Sequence, residues 1–203
     1  MSLQRFDRAG LAATPWKNGG GTTREIACWP PGAGMDDFQW RLSIATIAAS
    51  GPFSTFAGVD RIIALLDGPG VRLATNDGVI DHALNRPLEP FAFPGEDAIH
   101  GTVLGDASSD FNVMTRRSLL RAQLQVLRAS ASIEPTAHGM LLAVQGSWHA
   151  YAAGSGAEHR LEAGQGVWWA DDSQAWRLAP ACTDAALIAV RIFAADQPSI
   201  RRP

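Results

Sequence analysis

Polar and apolar residues alternate with a period of two along much of the chain. In "QWRLSIATI" (39–47), Trp40, Leu42 and Ile44 alternate with Arg41 and Ser43, as in a strand with one buried face. "RIIALLDG" (61–68) is a compact apolar run stopped by a turn signal, and "VRLATNDG" (71–78) ends in Asn-Asp-Gly, a hairpin signal. "PFAFPG" (90–95) carries proline near both ends, which suits an edge strand or a strand terminus. The second half repeats this grammar in "GMLLAVQG" (139–146), "SWHAYAAG" (147–154), "QAWRLAP" (174–180) and "AALIAVRIF" (185–193). One segment, "RRSLLRAQLQVLRAS" (116–130), has helix formers at a spacing near that of a helix. Its "LQVLRA" also alternates, so helix and strand both stay open there. Short strands at a spacing of roughly 8–12 residues, separated by turn residues, predict an all-β sandwich or barrel.

The two halves echo each other. "IIALLDGPGVRL" resembles "MLLAVQGSWHAY", and "LEPFAFPGEDAIHGTV" parallels "LEAGQGVWWADDSQAWRL". Each half reads as strand, turn, strand, a Leu-Glu entering a turn, strand, turn, strand, the layout of a cupin-type jelly roll. The predicted fold is therefore two tandem cupin-type jelly-roll barrels (a bicupin) with few short helices. The N-terminal half spans 1–110 and the C-terminal half 111–203, with strands exchanged between them so that they form one compact unit.

Composition narrows the partners. The chain has 203 residues and a net charge of -3, with scattered cations and no basic stripe, which argues against nucleic acid. Cys28 and Cys182 belong to no CxxC pattern, so neither a disulfide framework nor a zinc ribbon is expected. The first residues lack an apolar signal core, and no apolar run approaches the ~20 residues of a membrane span. A soluble cytoplasmic protein without a membrane partner is expected, and exposed strand edges would suit a homodimer.

Many cupins hold a metal through a G(x)5HxH(x)3–4E(x)6G block and a PxGxxH block, whose imidazoles and carboxylate suit iron, manganese, nickel or zinc. The first block would fall on "GPFSTFAGVDRIIALLDG" (51–68), which contains no histidine. The second would fall on 171–176, where Trp176 stands in the histidine position. His100 lies near a similar place after Pro94, and His149 and His159 sit on adjacent strand segments. No bound metal and no cofactor are expected.

Three polar clusters stand out. "WKNGGGTTREIA" (16–27) lacks both phosphate-loop spacings, GxxxxGK[ST] and GxGxxG, but its glycines would let backbone N–H groups approach an anion, with Lys17 and Arg24 adding charge. "GPFSTFAGVDR" (51–61) sets Asp60 and Arg61 beside an aromatic turn. In "SSDFNVMTRR" (108–117), alternation puts Asp110, Asn112, Met114 and Arg116 on one strand face. Such a face lies at an exposed edge or lines a polar cavity. Arg41 likewise belongs to the surface or to a lumen.

"PWKNGGGTTREIA", "WRLSIATIAASGPFSTFAGVDR" and "DFNVMTRR", in this order and with "PFAFPG" between them, closely resemble the signature blocks of the HutD/Ves family over about residues 1–120. The resemblance implies an all-β bicupin, generally without the metal histidines. HutD members are associated with histidine utilisation, where they are thought to bind a small pathway metabolite and limit the pathway; Ves members are associated with cold or stress response. The expected function is a metal-independent binder of a small anionic metabolite, a carboxylate such as urocanate or formiminoglutamate. Arg61 and Arg24 would grip the carboxylate, since a planar guanidinium matches it bidentately. Lys17 would add charge, Asn18, Thr22, Thr23 and Asn112 would orient polar atoms, Phe53, Phe56 and Trp40 would form apolar walls, and Asp60 beside Arg61 completes the expected ligand-binding set. The competing reading is a metal-independent isomerase or hydrolase using Glu25, Asp60, Asp110 or His100 as acid or base, although no nucleophile elbow or catalytic triad pattern is present. A third is a regulatory protein that contacts another protein through some of its tryptophans.

Overall fold

The structure, a computed structural model, describes residues 3–154 and 156–195. Its strands are β1 (Gln4–Asp7), β2 (Ala13–Pro15), β3 (Gly21–Trp29), β4 (Trp40–Ile47), β5 (Gly51–Pro52), β6 (Val59–Asp67), β7 (Val71–Thr75), β8 (Asp81–Leu84), β9 (Pro90–Pro94) and β10 (Ile99–Val103) in the first half. They continue as β11 (Ser108–Arg116), β12 (Leu120–Leu127), β13 (Ala131–Thr136), β14 (His138–Gln145), β15 (Ser147–Ala152), β16 (Glu158–Glu162), β17 (Gln165–Trp169), β18 (Gln174–Pro180) and β19 (Ala186–Ala194). Among the described residues the helical content is one 3-10 turn, Arg8–Gly10, and no helix is long and apolar enough to cross a membrane.

The strands form four antiparallel sheets, ordered β5-β10-β7-β8, β2-β3-β4-β11-β6-β9, β1-β17-β14-β19-β12 and β13-β18-β15-β16. These orders are open, so hydrogen bonding closes neither half into a continuous barrel among the described residues. Side-chain alternation stacks the sheets in that sequence. On β4, Trp40, Leu42 and Ile44 join Phe111 and Val113 of β11 in a core shared with Met140, Leu142, Ile188 and Val190 of the five-stranded sheet. The opposite face contributes Ile47, Ile63 and Leu65 to a second core with Val71, Leu73 and Ile99. A third core lies within the C-terminal half around Trp148, Trp169, Trp176 and Leu187. Strands β14 and β19 are buried on both faces, which is why they read as unbroken apolar runs rather than as alternation.

Three details sharpen the reading of the sequence. The segment left open between helix and strand forms β12, paired along its length with β19; packing of Leu124 and Val126 against the shared core overrides local helix propensity. The position between 110 and 111 falls inside β11, which lies wholly in the six-stranded sheet. The chain also begins in the other half, because β1 pairs with β17 before β2 pairs with β3.

Candidate functional site

The face of the six-stranded sheet turned away from the shared core lines a cavity of about 870 Å³. Register decides its chemistry. Arg41, Ser43 and Ala45 point into it from β4, Asp110, Asn112 and Met114 from β11, Thr23 and Glu25 from β3, and Arg61 from β6. The β2–β3 turn supplies Trp16, Lys17 and Asn18, and the segment after β5 supplies Phe53, Ser54 and Phe56.

Arg61 is the central feature. It is 8% exposed, and its guanidinium carbon lies 5.0, 5.6 and 5.9 Å from the ring centres of Phe93, Phe53 and Phe56. Its Nε donates to Asn112 Oδ1 at 3.4 Å and a terminal nitrogen donates to the Ser54 carbonyl at 3.5 Å. Both bonds are long for N–H···O, so a group with five donors keeps capacity for another acceptor. Burial pulls its pKa down to about 10, opposed by the charge of Asp110 and reinforced by that of Arg41; it remains cationic at neutral pH. Cation–π attraction from the rings stabilises that charge in a partly dry setting.

Two carboxylates face the cavity. Glu25 is tied to Arg41, whose Nε donates to it at 2.7 Å. Asp110 is 3% exposed, and no donor of the described residues reaches its Oδ1. Burial raises its pKa to about 6, against the lowering pull of Arg61 and of its own backbone amide. The charged lining comprises Lys17, Arg41 and Arg61 against Glu25 and Asp110, which leaves one net positive charge when all are ionised.

A family model, HutD, matches residues 8–188. The chain belongs to the HutD family. Protein Ves of Cronobacter sakazakii is 37% identical over 177 residues, 87% of this chain and 92% of the relative. Among solved structures, a conserved protein of unknown function from Pseudomonas aeruginosa PAO1 superposes with a TM-score of 0.84 at 35% identity, covering 95% of this chain and all of that one. HutD from Pseudomonas fluorescens SBW25 gives 0.79 at 26% identity, over 95% and 99%. A cupin 2 conserved barrel domain protein from Leptotrichia buccalis shares the fold at 8% identity and a TM-score of 0.60, over 94% of this chain and 96% of that one. The architecture is thus cupin-like.

Metal binding, common among cupins, does not suit the donors present. Among the described residues the cavity lining has no imidazole and no thiol, one of its carboxylates is engaged by Arg41, and there is no cluster of three or more His, Cys, Asp or Glu able to hold an ion.

Of the residues singled out in the sequence, Lys17, Asn18, Thr23, Phe53, Phe56, Arg61 and Asn112 line this cavity. Thr22, Arg24 and Asp60 do not. Thr22 and Arg24 alternate to the other face of β3, where Arg24 donates to the Leu11 carbonyl. Asp60 sits behind Arg61 and pairs with Arg117 at 2.5 Å. Trp40 is fully buried in the shared core, so it forms no cavity wall. The glycine-rich turn offers less backbone than its composition suggests, since the Gly19 amide donates to the Trp16 carbonyl and the Gly20 amide to Asn18 Oδ1. Arg41, Ser43 and Asp110 were absent from the expected ligand set although the alternation of "RLS" and "DFN" marks their faces; the missing information was which face of each strand lines the cavity.

Proposed function

We propose that the cavity reversibly binds a small carboxylate metabolite and that the protein acts as a sensor or limiter rather than by turnover. The observation that carries this reading is Arg61, a buried cation caged by three phenyl rings and held, among the described residues, by two long hydrogen bonds. A carboxylate is the small partner whose geometry fits a guanidinium in a fork, and removal of water strengthens that pairing. The cavity size falls within the range of small-ligand sites. The same reading takes the two halves as cupin-type units in tandem, with ligand binding in the first. In line with the HutD name of the Pseudomonas fluorescens relative, urocanate, formiminoglutamate or a related metabolite of histidine utilisation is the first ligand to test. A stress-linked role for the same binding, which the resemblance to Ves members implies, is the alternative setting of this reading.

Calorimetric titration and thermal shift with urocanate, formiminoglutamate, histidine and glutamate test the proposal. Binding without consumption is expected, with a melting temperature that rises with ligand concentration. Arg61→Lys keeps the charge but loses the fork, so affinity should fall by about tenfold or more. Unchanged binding in that variant would remove Arg61 from the site.

A second reading, a metal-independent isomerase or hydrolase, rests on Asp110, because a dry carboxylate with a pKa near 6 is suited to moving a proton near neutrality. Consumption of any of the four compounds at catalytic protein concentrations, abolished by Asp110→Asn, would establish it instead.

A further inference from the structure

Resting on the carboxylate reading above, we infer that the ligand is two-ended: Arg61 takes its carboxylate, and the cavity-lining carboxylate of Asp110 accepts a hydrogen bond from an N–H group at its other end. Asp110 is almost fully buried, lines the cavity and has an oxygen that no described donor reaches. A buried acceptor left without a donor is costly, so a carboxylate in this position asks for a partner that arrives with the ligand.

Strand register separates the two ends. Arg61 lies opposite Met114, whereas Asp110 lies opposite Leu65 on the same strand pair. At Cα level, Asp110 is therefore ~13 Å along β11 from the point facing Arg61. The Arg61 side chain leans back across part of that interval to reach Asn112, which sits between them. The guanidinium and the carboxylate thus face one cavity from two stations without pairing directly.

Charge selects the ligand's second end. The other charged groups facing the cavity are Lys17 at the β2–β3 turn and the Glu25–Arg41 pair, in which Glu25 already neutralises Arg41. A plain anion at Arg61 would leave the Asp110 charge buried and adding repulsion. An amine, amidine or protonated nitrogen ring at the far end would both donate to the Asp110 carboxylate and offset its charge. The ligand class is accordingly a small amino, amidino or azole carboxylic acid.

The test uses straight-chain ω-amino carboxylates of four to six carbons beside the alkanoates of equal length, titrated calorimetrically at pH 7.5. The best amino compound should bind about tenfold or more tighter than its alkanoate. Asp110→Ala should shrink that preference to less than about threefold, by weakening the amino compound and by relieving the repulsion on the alkanoate. If the alanine variant does not fold, Asp110→Asn keeps the shape and an acceptor but loses the charge, and should reduce the preference in the same direction to a smaller extent. Equal affinities of the paired probes in the unaltered protein would overturn the inference and leave the carboxylate reading standing. So would alkanoate affinity that climbs below pH 6 with no amine advantage, because Asp110 would then be donating a proton to the carboxylate. Failure of both probe classes to bind, with Arg61→Lys indistinguishable from the unaltered protein, would remove both readings.

Discussion

At the scale of single residues, Asp110 holds a charge in a place that opposes it. An unfolded Asp titrates near 3.8, and burial lifts the folded group to about 6. Between those values the folded state binds the extra proton, so this contribution to stability is complete below about pH 4 and is lost as pH rises through about 6. A shift of about two units corresponds to roughly 3 kcal/mol of destabilisation at neutral pH. Asp110→Asn should therefore raise the melting temperature at pH 7.5 by roughly 5 °C or more and leave it nearly unchanged at pH 4. Equal shifts at the two pH values would show that the carboxylate is not a buried charge in solution. A residue that weakens the fold while facing a cavity is more simply explained by a ligand than by packing. Arg61 is legible in the same terms from the sequence, as a lone arginine beside Phe53 and Phe56. Its third ring, Phe93, was not, because β9 reaches Arg61 only through strand pairing.

At the scale of elements, the glycine-rich turn between β2 and β3 places the cavity rim. Gly19 has φ +71° and turns the chain back so that Trp16 and Gly21 pair. Trp16 Nε1 then donates to Thr23 Oγ1 at 2.8 Å, fixing the ring against the strand. Gly21 is there for close approach, since a Cβ would stand 2.2 Å from the Thr46 carbonyl and 3.1 Å from the Trp16 ring. Gly21→Ala should cost about 1–3 kcal/mol, as overpacking does, and weaken ligand binding by displacing Lys17 and Asn18. Gly10→Ala, where a Cβ meets nothing within 4 Å, is the neutral control; equal melting temperatures for the two variants would contradict this account. Most strands were readable from alternation and turn residues. The face that lines the cavity was not, because period two shows that β4 and β11 have two faces but not which sheet each one meets. Arg24 illustrates the limit: it shares a strand with Thr23 and Glu25, yet it turns to the Leu11 carbonyl on the other side.

At the scale of the whole molecule, the two halves share a layout but differ in what fills them. The N-terminal half encloses the polar cavity, whereas Trp148, Trp169 and Trp176 fill the C-terminal half, each at most 1% exposed, with the rings of Trp169 and Trp176 5.5 Å apart. The echo between the halves was visible in the sequence. Their joint core was not, because Trp40 and Phe111 meet Met140 and Ile188 only when the two large sheets stack. That stacking, together with β1 crossing to pair with β17, makes separate unfolding costly: an isolated N-terminal half would expose the apolar face carrying Trp40, Leu42, Ile44, Phe111 and Val113. Heating should therefore give one transition, with calorimetric and van't Hoff enthalpies in agreement. Trp176→Ala tests this coupling from the side remote from the cavity. It should remove about 3–5 kcal/mol, as large-to-small core changes do, and lower the melting temperature of that single transition. Carboxylate affinity should stay within about twofold at temperatures where the variant is folded, because its site lies in the other half and distant changes add independently. Two resolved transitions, of which Trp176→Ala moves only one, would mean that the halves unfold separately and that the shared core contributes little to their union.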